Sequence, residues 1–206
     1  MISAVQADSF LEPSRSGMPL ATRKAAMRDI PAILGLINGY AAQGIMLPRT
    51  EFEMSEAIRD FTVIGCAASS GVEILGCGAL HFYTPTVGEI RSLAVAENAK
   101  THGAGRRLIE ALIEEAQIHQ LDAVFAFTYV VGFFQKMGFE TVERGVLPLK
   151  VWKDCLRCPK FHACDEIAVL RVLRPSHWAS SSMNVQPGSL PSEADSYIQL
   201  PTQLRA

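Results

Sequence analysis

Residues 89–116, EIRSLAVAENAKTHGAGRRLIEALIEEA, contain a short apolar run, a loop with two glycines and a long amphipathic segment. The apolar run is typical of a buried strand, and the later segment repeats apolar residues at helical spacing, with Leu108 and Leu112 on one face. Gly103 and Gly105 lie between the two. The stretch therefore predicts a strand, a glycine-rich loop and a helix in direct succession, and the rest of the fold is built around that unit.

The predicted loop is suited to an anion. The N–H groups in the first turn of a helix lack intrahelical partners and lie at the positive end of the helix dipole. Gly103 and Gly105 leave the backbone open to a phosphate, while Lys100 and Arg106 add positive charge. Glycines that only serve the turn are an equally good interpretation of these residues alone. A Walker loop is excluded because Arg106 follows Gly105 where Lys is required, and a dinucleotide loop needs a third glycine.

Patterning on either side of this unit predicts one α/β (α+β) domain over residues 19–174. Hydrophobic periods and turn residues give the element order β-α-α-β-β-β-α-β-α-β-β. Residues 1–18 and 175–206 mix Ser, Pro and acidic residues without a period. Both are predicted to be disordered tails.

Composition narrows the class of protein. With 206 residues, 49% apolar residues and 19% charged residues, the chain is long and apolar enough for a packed core. A net charge of -2 argues against a nucleic-acid binder, which needs a surplus of basic residues. No segment approaches the roughly 20 apolar residues of a membrane span, and the first residues lack the features of a secretory signal. A cytoplasmic protein with reduced cysteines and no membrane partner is expected.

Two motifs resemble the GNAT family of N-acetyltransferases. In that family a strand leads into a Gln/Arg-x-x-Gly-x-Gly/Ala loop and a helix, and Lys100, Gly103 and Gly105 occupy the three loop positions. The later segment FFQKMGF, residues 133–139, resembles the second family motif, Phe-Tyr-x-x-x-Gly-Phe. The resemblance covers residues 20–174. It implies a GNAT fold, with a mixed central sheet of about six to seven strands, helices on both faces and two splayed parallel strands.

Within this family the segments GCGALH, EIRSLAV and LPLKVWKDCLRCPKF are similar to short bacterial N-acetylglutamate synthases. The resemblance implies an acyltransferase that uses acetyl-CoA to acetylate the α-amine of L-glutamate, the first step of arginine biosynthesis. Its partners would be acetyl-CoA and a small amino acid, and a homodimer is a compatible assembly. Two alternatives stay open: acetylation of another small amine, amino acid or protein amino group, and a non-catalytic acyl-CoA-binding sensor.

The resemblance also implies which residues hold the cosubstrate. Backbone groups of the strand would bind the pantetheine and the thioester carbonyl, the loop would bind the pyrophosphate, and the two phenylalanines would pack nearby. The expected cosubstrate-binding residues are Leu93, Ala94, Val95, Lys100, Thr101, His102, Gly103, Ala104, Gly105, Arg106, Phe133 and Phe134.

Glu89 is the predicted general base, because a protonated amine must lose a proton before it attacks. A carboxylate that only pairs with Arg91 is the alternative. Many relatives use the Tyr of the second motif as proton donor, but Phe134 stands at that position. Thr128 and Tyr129, at the end of the neighbouring predicted strand, are the hydroxyl candidates instead.

A glutamate acceptor has two carboxylates and calls for basic side chains. Arg49, Arg91 and Lys150 are the candidates, and Ser92 is expected to donate a hydrogen bond or face the acyl group. Surface ion pairs are an equally good interpretation of the three basic residues. They are selected because they lie in segments similar to the synthases.

The segment CLRCPKFHACDE, within residues 154–166, holds four metal-ligating side chains, Cys155, Cys158, His162 and Cys164. Three thiolates and an imidazole could complete a tetrahedral structural zinc site. The spacing is too compressed for a standard zinc finger. Thiols on a loop are the favoured interpretation, and zinc is the weaker one.

Overall fold

The computed structural model describes residues 19–68, 71–147, 158, 160 and 163–182. Seven strands form one mixed sheet in the order β1-β2-β3-β4-β5-β7-β6. The strands are β1 Leu20–Lys24, β2 Phe61–Ala68, β3 Gly71–Phe82, β4 Val87–Val95, β5 Ala123–Thr128, β6 Glu140–Thr141 and β7 Ile167–Val172. All neighbouring pairs are antiparallel except β4 and β5, which are parallel. The predicted mixed sheet is confirmed.

Six α-helices lie among the described residues. They are α1 Ile30–Ala41, α2 Glu51–Ala57, α3 Glu97–Lys100, α4 Ala104–Ile118, α5 Val131–Lys136 and α6 Pro175–Ser182. Among the residues that the structure describes, none of these helices has the length and apolar character needed to cross a bilayer.

Helix α6 corrects the predicted boundary of the C-terminal tail. The tail was expected to begin at residue 175, yet residues 175–182 are helical. The chain is tied down just before this helix, because Arg174 Nε donates to the Asp122 carboxylate at 2.8 Å. Trp178 then packs against the apolar cluster around Phe125. The Ser-rich composition of this segment does not predict a helix, and the packing of Trp178 stabilises it.

Helices cover both faces of the sheet, as predicted. On one face α1 and α2 bury Ile33, Ile37 and Met54 completely. On the other face α4 and α5 bury Leu112 and Phe134. The heptad-like spacing of apolar residues in α1 and α4 explains these faces, because residues three and four apart lie on one side of a helix.

The two parallel strands separate soon after they pair. β4 and β5 are in register only from Val87 opposite Ala123 to Glu89 opposite Phe125. Beyond that point β4 stays paired with β3, and the β3–β4 register shifts at Gly78. Ser92 lies in this irregular part of β4 with a φ of 52°, a left-handed conformation that is uncommon for a residue other than glycine. A bulge raises local twist and bends the strand, which accounts for the opening between β4 and β5.

Candidate active site

A pocket of about 410 Å³ fills the opening between β4 and β5. Its walls are residues 44–49 of the α1–α2 connection, residues 89–93 of β4 and residues 127–130 at the end of β5. Side chains from the segment before β7 close the remaining side. The pocket therefore lies between the two splayed parallel strands that the resemblance implies.

Glu89 lies at the point where the strands part. The residue is 9% exposed and lines the pocket. Arg91 follows two positions later on the same strand face, and its Nη1 is 3.8 Å from Glu89 Oε2. Glu89 can therefore act as a base and also pair with Arg91, since one pocket holds both side chains. The two roles given above as alternatives are compatible.

Two more of the predicted acceptor residues line the same pocket. Arg49 is held by Asn38, whose side chain donates to the Arg49 carbonyl at 3.0 Å and accepts from the Arg49 N–H at 2.9 Å. Arg49 Nη2 donates to Ser92 Oγ at 3.5 Å. The fourth predicted residue, Lys150, lies outside the described residues. The structure therefore brings Arg49, Arg91 and Ser92 together around Glu89.

Two further cationic residues line the pocket that were not predicted from the sequence, Arg144 and Lys160. Arg144 Nη2 donates to the backbone carbonyl and the sulfur of Cys164, each at 3.2 Å. Its guanidinium also lies over the Phe127 ring, 5.6 Å from the centroid. No local pattern marks either cation, because the chain brings them to the pocket only by folding back beside β5.

An acidic residue, Glu166, joins these cations in the pocket wall. Burial raises the pKa of the Glu166 carboxyl, while the nearby Arg144 guanidinium opposes that rise. The pocket thus combines four cationic side chains with two carboxyl groups.

The two hydroxyl candidates stand at the end of β5. Tyr129 donates its hydroxyl proton to Asp165 at 2.9 Å and accepts from Lys160 Nζ at 3.0 Å. Burial raises the pKa of the Tyr129 hydroxyl, so the group keeps its proton at neutral pH. Thr128 Oγ1 accepts from the Val130 N–H at 3.0 Å, and its own hydroxyl proton stays available for donation. Both hydroxyls line the pocket.

The glycine-rich loop forms the start of α4, as predicted. Gly103 is the residue before the helix and has a φ of 76°, where a side chain is strained, and a Cβ there would meet open space. Gly105 lies against the Phe133 ring, where an added Cβ would be 3.4 Å from Phe133 Cζ. The first glycine therefore serves the turn and leaves an open approach, and the second allows α4 to pack on α5.

The two loop cations have partners within the protein. Lys100 Nζ is 2.6 Å from Glu97 Oε1 and lies over the Tyr40 ring, 5.1 Å from its centroid. The Glu97 carboxylate raises the pKa of Lys100. Arg106 pairs with Glu110 at 2.7 Å. These exposed pairs contribute little to stability and can exchange partners, so an anion at the loop would compete with two carboxylates for these charges.

Other predicted cosubstrate residues border the same region. Leu93 lines the pocket together with the buried Phe134. The Val95 carbonyl, at the end of β4, accepts a hydrogen bond from the Tyr40 hydroxyl at 2.6 Å. Thr101 Oγ1 is 3.3 Å from His102 Nδ1, beside the start of α4. The end of β4, the loop and α5 are therefore neighbours, since Gly105 lies near both Val95 and Phe133.

The zinc hypothesis receives no support from the described part of the chain, which holds no group of three or more His, Cys, Asp and Glu side chains able to bind a metal. Cys155 and His162 lie outside the described residues. Cys158 and Cys164 are free thiols that line the pocket. The two cysteines of this segment that the structure describes are therefore part of the candidate site.

Comparison with known proteins identifies the family. Residues 40–139 match the acetyltransferase (GNAT) family. An uncharacterised N-acetyltransferase of Chlorobaculum tepidum is 42% identical over 76% of this chain and 100% of its own length. The amino-acid acetyltransferase of Mycobacterium tuberculosis is 33% identical over 66% of this chain and 76% of its own length. The chain belongs to the GNAT acetyltransferase family, and it is an acyltransferase.

Solved structures with a similar fold support the same family and include an N-acetylglutamate synthase. A Mycobacterium tuberculosis protein in complex with CoA and NLQ has a TM-score of 0.64 and 30% identity, covering 74% of this chain and 99% of that one. N-acetylglutamate synthase of Neisseria gonorrhoeae, complexed with coenzyme A and N-acetyl-glutamate, has a TM-score of 0.67 and 28% identity. That match covers 77% of this chain and 36% of the synthase. The predicted GNAT fold is confirmed, and the chain is related to the amino-acid acetyltransferases.

Proposed function

We propose that the enzyme transfers the acetyl group of acetyl-CoA to the α-amine of L-glutamate, by direct attack of the amine on the thioester. The relatives named amino-acid acetyltransferase, and the similar synthase solved with coenzyme A and N-acetyl-glutamate, support this choice. The product would enter arginine biosynthesis.

The charges of the pocket carry the proposal. Cationic side chains of Arg49, Arg91, Arg144 and Lys160 line the same pocket as Glu89. Glutamate has two carboxylates and one amine. Guanidinium groups bind carboxylates through paired, charge-assisted hydrogen bonds, and the Glu89 carboxylate beside them can take the proton of the amine. This combination suits an acidic amino acid better than a neutral or cationic amine.

Glu89 would start the reaction by removing a proton from the α-ammonium, directly or through a water. The neutral amine then attacks the thioester carbonyl, forming the C–N bond and placing negative charge on the carbonyl oxygen. Backbone N–H groups of Leu93, Ala94 and Val95 would stabilise that oxygen, with no special side chain. The C–S bond breaks as the intermediate collapses.

The departing thiolate would take a proton from Tyr129 or Thr128, and that hydroxyl would regain a proton from the new amide nitrogen, which loses its second proton as the amide forms. Tyr129 is protonated and lines the pocket, but it must release Asp165 to donate elsewhere. Thr128 is buried and needs no such exchange. A CoA thiol should have a pKa near the ~8.5 of cysteine, so a weak donor is sufficient.

The cosubstrate would extend from the pocket along β4 to the loop. The pyrophosphate would lie at the start of α4, near the N–H groups of Gly103, Ala104 and Gly105. Lys100 and Arg106 would add charge once they leave their carboxylate partners, with Thr101 and His102 alongside. Phe133 would pack beside the cosubstrate.

A second acceptor class has its own support in the pocket wall. Ile45, Met46, Leu47 and Val130 make one side of the pocket apolar. An amino acid with a longer or neutral side chain, such as glutamine or methionine, would bury its side chain there and still place its α-carboxylate on a guanidinium.

The test is CoA release measured over a panel of amino acids, other small amines and a lysine peptide, with Glu89→Gln alongside. Glutamate is expected to give the highest kcat/KM. In Glu89→Gln, kcat should fall about 10²- to 10⁴-fold, the usual contribution of positioned proton transfer, with acetyl-CoA affinity retained.

Glu114→Gln is the matched control, because Glu114 is exposed on α4. Its activity should equal that of the unmodified enzyme. Strong release with another amine but not with glutamate would overturn the acceptor assignment, and full activity of Glu89→Gln would overturn the base. CoA binding without release for any amine would favour the sensor.

A further inference from the structure

His81 lies directly opposite Glu89 in the sheet. The β3–β4 register pairs His81 with Glu89 and Ala79 with Arg91. Directly opposed residues of antiparallel strands project to the same face, with Cβ atoms about 4.5–5.5 Å apart. Ala79 belongs to the cluster under α1 and α2, and the two-residue period of a strand puts His81 on that face as well. The His81 and Glu89 side chains therefore start from adjacent positions on the same face of the sheet.

A carboxylate fixes the orientation of this imidazole. His81 Nδ1 is 2.7 Å from Asp60 Oδ2. Tyr83 packs edge-on against the His81 ring at 5.1 Å between centroids. A hydrogen bond from Nδ1–H to a carboxylate selects the tautomer in which Nε2 is the proton acceptor.

Glu89 differs from His81 and Asp60 in its exposure to solvent. Glu89 is buried and lines the pocket, whereas the side chains of His81 and Asp60 are 37% and 30% exposed and do not line it. Because Glu89 is buried, a proton that it accepts in a substrate-filled pocket needs a neighbouring group to reach bulk water. The His81 side chain is in contact with solvent.

We propose that His81 carries the proton collected by Glu89 to solvent, with Asp60 holding the imidazole in position. The inference rests on the proposed role of Glu89. The amine N–H bond breaks as the Glu89 O–H bond forms. That O–H bond then breaks as Nε2 of His81 takes the proton, directly or through one water, and the imidazolium releases it to bulk water. Each turnover thus returns Glu89 to the carboxylate and His81 to the neutral ring.

The test variant is His81→Asn, whose amide can still donate to Asp60 but cannot carry a proton. It is run in the full chain with the best acceptor of the panel. We expect kcat to fall about 10- to 100-fold, with the KM for acetyl-CoA and the thermal unfolding temperature unchanged, since the loss concerns proton transfer alone. Added imidazole should restore most of the rate. His119→Asn is the control, because His119 packs on Phe82 instead.

A full rate in His81→Asn, or a loss that imidazole does not reverse, would overturn the relay. If His81→Asn has a lower thermal unfolding temperature, Asp60→Asn serves as the second variant. It leaves the His81 imidazole in place and should also lower kcat. An inactive Glu89→Gln beside a fully active His81→Asn overturns the relay and leaves the base intact. Absence of CoA release with every amine would overturn the proposed function itself.

Discussion

At the scale of single residues, Asp29 stands where a helix cap is expected but forms an ion pair with Arg23 instead. Its position before α1 predicts a helix cap, yet its side chain makes no capping bond. The carboxylate instead accepts from both terminal guanidinium nitrogens of Arg23, at 2.6 and 2.9 Å, and from the Ala26 N–H at 2.8 Å. Asp29 is 6% exposed. The partly buried ion pair connects β1 to the start of α1.

Asp29→Asn is expected to lower the free energy of unfolding at pH 7 by about 1–2 kcal/mol, because the Arg23 guanidinium and the Ala26 N–H lose a charged acceptor. The Arg23 hydrogen bond lowers the pKa of Asp29. A carboxyl whose pKa is lower when folded contributes stability above its unfolded pKa of ~3.9, and loses it as the pH falls through the folded pKa. Urea unfolding from pH 7 to pH 2.5 should therefore show the two proteins converging in acid.

Glu140→Gln is the control for this measurement, since Glu140 is exposed on β6. Its unfolding free energy should stay within about 0.5 kcal/mol of the unmodified protein. A difference between Asp29→Asn and the unmodified protein that persists unchanged at pH 2.5 would contradict the assigned ion pair.

At the scale of elements, the loop before α4 forms a turn and is also the proposed binding site of the pyrophosphate. Substitutions at Gly103 can distinguish these two roles. Asparagine tolerates a positive φ, so Gly103→Asn should lower the free energy of unfolding by less than about 1 kcal/mol. The new side chain enters the open space beside the loop, where we place the pyrophosphate. CoA affinity, measured by calorimetry, should fall about 10- to 100-fold through lost charge-assisted hydrogen bonds.

Unchanged CoA affinity in Gly103→Asn would mean that the glycines serve the turn alone. Gly103→Ala is the companion variant. It is expected to lose about 1–2 kcal/mol of stability, because a left-handed φ is costly for alanine. Urea unfolding separates that loss from a loss of ligand binding.

At the scale of the whole molecule, the sheet consists of two antiparallel halves joined only where β4 pairs with β5 at three positions. A ligand in the opening contacts both halves. Acetyl-CoA at about 100 times its Kd should add ~2.7 kcal/mol to the unfolding free energy and raise Tm by about 5–11 °C. Hydrogen exchange should slow in residues 89–95 and in residues 123–128 together.

Adenosine 3′,5′-bisphosphate is the matched probe, because it lacks the pantetheine and thioester. Its protection should be confined to the start of α4. Equal protection of β5 by both compounds would place the acyl chain outside the opening between the strands.

Much of the site was predictable because its residues lie in one local unit. Glu89, Arg91, Gly103 and Gly105 fall within 28 consecutive positions whose periodicity predicts strand, loop and helix. The strand places alternate side chains on one face, and the helix start presents its N–H groups. These are consequences of local backbone geometry.

Arg144 and Lys160 could not be predicted, and the opposition of His81 to Glu89 depends on a strand register that a bulge adjusts. The sequence by itself determined the order of the elements and the motif that defines the family, because hydrophobic period and turn chemistry act over a few residues. Tertiary structure alone decided which charges share the pocket, because contacts between distant segments depend on register, twist and packing that no local pattern encodes.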